Sequence, residues 1–456
     1  MSSASLVSTS SVCFIACHGR PAEDFSVFAE ALRLEGRDVY IIASGQAKKK
    51  FDDRQIKVGK SFVLDATTDE GALAQEIAEI ASTALIVITD LGHLFAVKIH
   101  LAIEQLPINI FHYSYYDNYN KHVPVYSEVA DKVMKASSGV IFANANIKSS
   151  IFEGILNYGI GYYPMHQAEA LVKMRSANDN ILRSRLFKDN GWEDKGEKIL
   201  VYFGGNNEEY FNHAFPAFLK SIGGMAQTHF SQLVILFQQH PGAAQEDKDR
   251  LQVTEWEKEH GWVNEAGETI NAPKIAFSIF KPEEALVVAD GFLYHQTSMA
   301  PLAPLVGIPT LQIGDKPYDD LLVANKICRT AQNSEELIRF VDGLNEHKSK
   351  GLDKHSYNLI TEALGYNPKW TLNPLIVFAE ANRHRDKKEY NAEVLKAKEI
   401  KKQETPPANK PKAGIPKNDR STSPYFGCLV GGGGAVVVAI ALAFFIHRAS
   451  SHQTEG

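Results

Sequence analysis

Short apolar runs alternating with helix-period segments set the rhythm of this chain. Residues 11–17 (SVCFIAC) are almost wholly apolar and read as a β-strand. Residues 23–35 place Phe25, Phe28, Ala29 and Leu32 three and four apart, the stripe of an amphipathic helix, and Gly36 closes it. The alternation continues with strands predicted at 39–43, 62–64, 85–89, 108–111 and 140–143, and helices at 70–81, 96–104 and 129–136. Residues 147–185 are mixed and carry the connection to a second series. That series has strands at 199–203, 233–237, 275–277, 285–289 and 310–313, and helices at 211–222 and 335–344. A last helix, within 367–383, is expected to cross back towards the first half. Short strands without a polar face, spaced by helices, require a parallel sheet covered on both sides. The expected class is α/β, with two doubly wound, Rossmann-like domains at residues 11–165 and 166–383 facing a cleft.

The rhythm stops after that. Residues 384–424 form a charged linker that becomes rich in Pro, Lys, Ser and Asn, an unstructured tether. Residues 426–446 (FGCLVGGGGAVVVAIALAFFI) carry no charge and have about the length of a helix that crosses a bilayer. One transmembrane helix is therefore predicted at 425–447, touching lipid through 426–446. The N-terminus lacks a basic stretch before its first apolar run, so it does not read as a signal peptide. A single-pass anchor at the C-terminus, with the bulk of the chain cytoplasmic, is the expectation, and the basic linker agrees with the positive-inside tendency.

Composition changes the picture little. The chain has 456 residues, 44% hydrophobic and 22% charged, as in globular proteins. A net charge of -6 gives no argument for a nucleic-acid partner. Cys13, Cys17, Cys328 and Cys428 are spaced for neither a zinc site nor a disulfide framework.

Candidate chemistry lies in polar turns that follow predicted strands, where parallel sheets bind ligands. In the first half these are His18-Gly19-Arg20 and Asp90-Leu91-Gly92-His93. In the second they are Gly204-Gly205-Asn206-Asn207, His240-Pro241-Gly242 and His295-Gln296-Thr297-Ser298. Gly204 and Gly205 would let the backbone approach a phosphate, and His240 would donate to one. A helix starting near Thr297 and Ser298 would add its first amides and two hydroxyls. The simpler alternative is an ordinary N-cap by Thr297 or Ser298.

The two-domain layout, the GGNN and HPG turns and the block 295–325 resemble the GT-B glycosyltransferase superfamily, which includes the nucleotide-sugar 2-epimerases. The likeness spans about residues 12–383. Gly307-x-Pro309 followed by Asp319-Asp320 and Asn325 resembles a donor-site block in which an acidic residue binds sugar hydroxyls. His240-Pro241 with Thr297-Ser298 resembles the phosphate-holding motifs of bacterial sialyl- and glycerophosphate-transferring members. The resemblance implies a UDP-, CDP- or CMP-linked sugar held by Gly204, Gly205, Asn206, His240, His295, Thr297, Ser298, Asp319 and Asp320. It implies His18 as the general base, with Asp90 either an alternative base or the group that orients His18, and no metal or bound cofactor. Helix capping is the bland role for both. Two departures matter: residues 299–305 lack the acid that holds the ribose in many members, and Pro304 should distort that helix. The paired glutamates of retaining members are absent, which implies inversion. The acidic pattern of the epimerases is met only by Asp90 and Glu128. A transferase, a 2-epimerase and a non-catalytic binding scaffold all remain as readings.

Overall fold

The computed structural model describes residues 11–91, 94–106, 110–120, 137–147, 156–205, 208–225, 227–240, 247–260, 274–314, 320–344 and 352–383. The first sheet holds β1 Val12–Ala16, β2 Val39–Ser44, β3 Lys60–Phe62, β4 Ile86–Asp90, β5 Phe111–Tyr116, β6 Gly139–Phe142 and β7 Asn157–Gly159. Its order is β3-β2-β1-β4-β5-β6-β7, and every pair is parallel. The second holds β8 Lys198–Phe203, β9 Leu233–Gln238, β10 Lys274–Phe277, β11 Gly291–Tyr294, β12 Thr310–Ile313 and β13 Arg329–Ala331. Its order is β10-β9-β8-β11-β12-β13, again parallel. The helices are α1 Gly19–Leu34, α2 Gly45–Asp53, α3 Glu70–Ala81, α4 Leu94–Gln105, α5 Met165–Asp189, α6 Phe215–Gly223, α7 Gln227–Phe230 and α8 Lys248–Glu259. They continue as α9 Pro282–Val288, α10 Leu302–Leu305, α11 Leu321–Ala324, α12 Ser334–Gly343, α13 Lys354–Leu364 and α14 Asn373–Asn382.

β1 shows why the strands are apolar throughout. All five of its residues are buried. Side chains alternate between sheet faces, so Phe14 and Ala16 enter the core under α1, while Cys13, Ile15 and Cys17 enter the one under α3 and α4. Phe28 of α1 is a hub, 5.5 Å from the ring of Tyr115, 5.0 Å from Tyr162 and 4.7 Å from Trp370.

Three sequence expectations need correction. Residues 285–289, predicted as a strand, are mostly helix α9, and the strand beside them is β11. Pro282 opens that helix, and the Lys281 amide donates to Glu284 Oε2 at 3.0 Å. Arg175 of α5 donates to the carbonyls of Leu286 and Ala289 at its end. Its residues Ala285 to Val288 are all buried, so the periodicity of a surface helix is missing. The strand predicted at 108–111 instead runs from Phe111 to Tyr116, because six consecutive buried residues, polar ones included, pair with β4 and β6. The helix expected to start near Thr297 is only the four-residue α10. The predicted helix 129–136 lies outside the described residues.

The chain passes between its halves at two glycines. Gly161 has φ +63° and Gly365 φ +57°. A Cβ on Gly161 would lie 2.3 Å from the Gly365 carbonyl oxygen, and the Asn367 amide donates to the Gly161 carbonyl at 2.8 Å. Beyond this crossing, α14 returns to the first sheet, as the sequence led us to expect. Phe378 stands edge-on to Phe111 at 5.6 Å. Among the described residues no helix is long and apolar enough to cross a membrane. The span predicted at 425–447 and the linker before it lie outside those residues.

Candidate functional site

The C-terminal edge of the first sheet gathers a charged cluster. β1 delivers Cys17 and His18, β4 ends on Asp90, and β5 delivers Asp117. His18 Nδ1 donates to Asp90 Oδ2 at 2.8 Å. The same oxygen accepts the amides of Cys17 at 2.8 Å and His18 at 3.2 Å. Asp90 is fully buried, and these donors offset the loss of water around its charge. Burial alone would lower the pKa of His18. The charge and hydrogen bond of Asp90, with Asp117 behind them, reverse this and raise it to about 9. His18 precedes α1 without capping it.

Arg20, on the first turn of α1, donates to the Tyr119 hydroxyl at 2.6 Å and lies 3.7 Å from Asp24. The Tyr115 hydroxyl donates to Asp24 at 2.9 Å. Burial raises Asp24 to about 6, against the pull of Arg20. Burial also raises Asp117, while His18 and Arg20 pull it down and Asp90 pushes it up. Asp24, Asp117, Tyr115 and Tyr119 escaped the sequence reading. For Asp117 the signal existed: extending the aromatic run FHYSYY to its end puts that carboxylate at the strand terminus.

The loop beyond Asp117 joins this edge to the second sheet, where Asn120 Oδ1 accepts the Leu321 amide at 2.8 Å. Its neighbour Asp320 is an N-cap. Oδ1 of Asp320 accepts the Tyr294 hydroxyl at 2.8 Å and the amides of Leu322 and Val323 at 2.9 Å and 3.1 Å. That gives Asp320 a structural task beside any contact with a sugar. Asp319, Asn206 and Glu128 lie outside the described residues.

The other residues predicted to hold a nucleotide sit at the C-terminal edge of the second sheet. His295 follows β11, is buried, and donates from Nδ1 to the Ile313 carbonyl at 3.2 Å. Burial lowers its pKa, which keeps it neutral at pH 7. Thr297 Oγ1 accepts the Met299 amide at 3.2 Å within a turn; neither Thr297 nor Ser298 is the N-cap expected of them, because α10 starts at Leu302 behind Pro301. Ser298 lies in the same turn, ahead of α10. His240 is exposed just after β9. Gly204 and Gly205 follow β8, packed under Tyr210: a Cβ on either would lie 2.8 Å from that side chain. Tyr210 opens a π-helical turn, Tyr210–Ala214, ahead of α6. Among the described residues no three His, Cys, Asp or Glu side chains converge to hold a metal ion.

No protein-family model matches the chain, and no curated protein sequence matches it. Solved structures do. The UDP-GlcNAc 2-epimerase from Neisseria meningitidis, bound to UDP-GlcNAc, matches with a TM-score of 0.55 at 9% identity, over 82% of this chain and 100% of that one. A glycosyltransferase from Rickettsia africae matches with a TM-score of 0.51 at 12% identity, over 85% and 99%. The UDP-forming α,α-trehalose-phosphate synthase from Burkholderia vietnamiensis matches at 0.50 and 11%, over 78% and 96%. At these identities the likeness is one of fold, and with two parallel Rossmann-like sheets the chain has the GT-B fold that UDP-GlcNAc 2-epimerases and GT-B glycosyltransferases share.

Proposed function

We propose that the chain is an inverting glycosyltransferase using a nucleotide-sugar donor, with His18 as general base. The observation that carries this reading is the His18–Asp90 pair. Nδ1 is committed to Asp90, so proton exchange with an acceptor hydroxyl runs through Nε2. Asp90 is buried and tied to two amides, which suits it to orient His18 and to stabilise the imidazolium as the proton arrives. His18 must be neutral to act. With a pKa of about 9, turnover rises about tenfold per pH unit from 7 towards 9. A uridine diphosphate leaving group is supported by fold relatives whose names specify UDP-GlcNAc or UDP formation. The apolar run at 426–446 is the basis for proposing that the enzyme works at a membrane.

A second reading, nucleotide-sugar 2-epimerase, is favoured by one observation: the fold relatives with that activity. In that role the protonated His18 would serve as an acid, and activity would fall above pH 9 instead of rising towards it. Proton NMR of UDP-GlcNAc incubated with the full chain separates the two. Free UDP with an inverted anomeric product supports transfer. An intact UDP-sugar with changed C2 configuration supports epimerisation. Binding without turnover sinks both.

A further inference from the structure

The glycine turn after β8 is the feature that the proposed function does not absorb. Gly204 and Gly205 are the residues that the sequence assigns to a phosphate. A Cβ built on Gly204 would lie 2.8 Å from the Tyr210 hydroxyl, and one on Gly205 would lie 2.8 Å from Tyr210 Cγ. The small size of both residues is thus used up by a side chain of the same molecule. The Gly204 amide donates to the Gln238 carbonyl at 3.1 Å, so the Gly205 amide, beside the Tyr210 ring, is the one a phosphate would take. The Tyr210 ring is also 6.2 Å from the ring of His295, the residue that opens another predicted phosphate turn. Tyr210 is fully buried there, 5.3 Å from the ring of Phe215 and 4.9 Å from that of Phe211. The π-helical turn that begins at Tyr210 carries an extra residue, a local irregularity that gathers at functional sites.

We propose that Tyr210 and a donor phosphate compete for the Gly204-Gly205 turn. In this arrangement Tyr210 is a specificity-determining residue. It withholds the turn from a phosphate while its ring lies against the two glycines, and a nucleotide engages the Gly205 amide only when the ring is displaced. The proposal rests on the nucleotide-sugar reading.

The test is UDP binding by isothermal titration calorimetry with the full chain, comparing wild type, Tyr210→Phe and Tyr210→Leu. Circular dichroism establishes that each variant is folded. Tyr210→Leu removes the outer ring and the hydroxyl that lie over Gly204 while keeping an apolar side chain for Phe211 and Phe215. It should bind UDP about tenfold tighter or better, the value of one charge-assisted hydrogen bond to a phosphate. Tyr210→Phe removes only the hydroxyl and keeps the ring, and should gain less. Adding Gly204→Ala to Tyr210→Leu should cancel the gain, because the new methyl group refills the space that the outer ring left. UDP binding of equal or lower affinity in folded Tyr210→Leu overturns the competition and leaves the nucleotide-sugar reading standing. If no folded variant binds UDP, both fail.

Discussion

Replacing Asp90 by Asn removes a buried charge yet keeps an acceptor of nearly the same shape for the amides of Cys17 and His18. His18 rises from 6.5 to about 9 in the folded chain because Asp90 outweighs burial. At about 1.36 kcal/mol per pKa unit that rise corresponds to about 3 kcal/mol. The His18 side chain is 32% exposed, and solvent screening reduces the figure to about 2 kcal/mol. The folded pKa lies above the unfolded one, so this stability is fully present below pH 6.5 and is lost as pH rises through about 9. Urea unfolding at pH 6 and pH 9.5 measures it. Wild type should lose about 2 kcal/mol more across that window than Asp90→Asn. In the variant only Asp117 opposes burial, and the His18 pKa should fall well below that of the wild type. NMR of the imidazole protons gives the two pKa values directly. Identical pH slopes in the two proteins, or a wild-type His18 titrating at 6.5 or lower, would refute the reasoning.

Other expectations follow from the packing. Phe28→Ala removes the ring that ties α1 to Tyr115, Tyr162 and Trp370, and should cost about 3–5 kcal/mol in denaturant unfolding. Gly161→Ala meets the Gly365 carbonyl as well as an unfavourable φ, whereas Gly36→Ala, with φ +76° and nothing within 4 Å, meets only the φ penalty. Gly36→Ala should therefore cost about 1 kcal/mol and Gly161→Ala clearly more; equal losses would mean that the chain crossing is not tightly packed. Asp24→Asn keeps an acceptor for Tyr115 and removes a carboxyl whose pKa is raised from 3.8 to about 6. A raised pKa makes the wild type lose stability as pH climbs from 4 to 7, so the variant should lack that part of the decline in Tm. Asp320→Ala removes the acceptor shared by two amides and the Tyr294 hydroxyl, which keeps only the weak Cys328 sulfur contact, and should cost about 2–3 kcal/mol without any nucleotide present. An unchanged stability would assign Asp320 to ligand contact alone.

The sheets were largely legible because β1, β4, β8 and β9 are apolar on both faces, the signature of a covered parallel strand. The same rule misled at 285–289, where complete burial between α5 and the second sheet erased the helical stripe of α9. α2 left no apolar stripe to read, since it buries only Ala47 and Phe51 between lysines, and its start depends on Ser44 accepting the Ala47 amide. The pairing of His18 with Asp90 was open to inference, as both follow strands that proved adjacent. The contribution of Asp117 was hidden by the misplaced end of β5. The role of Tyr210 was not legible, because a glycine pair reads alike whether it makes room for a phosphate or for a side chain brought back by a π-helical turn.

The central claim is that His18, held by Asp90, moves the proton in a nucleotide-sugar reaction. The most direct measurement is the rate of UDP release from UDP-GlcNAc by the full chain, wild type against His18→Asn, at pH 7 and pH 9. The account predicts a rate that rises with pH in the wild type, and a loss of about a hundredfold or more in the variant at pH 9. Release that is equal in both proteins, or independent of pH in the wild type, would contradict it.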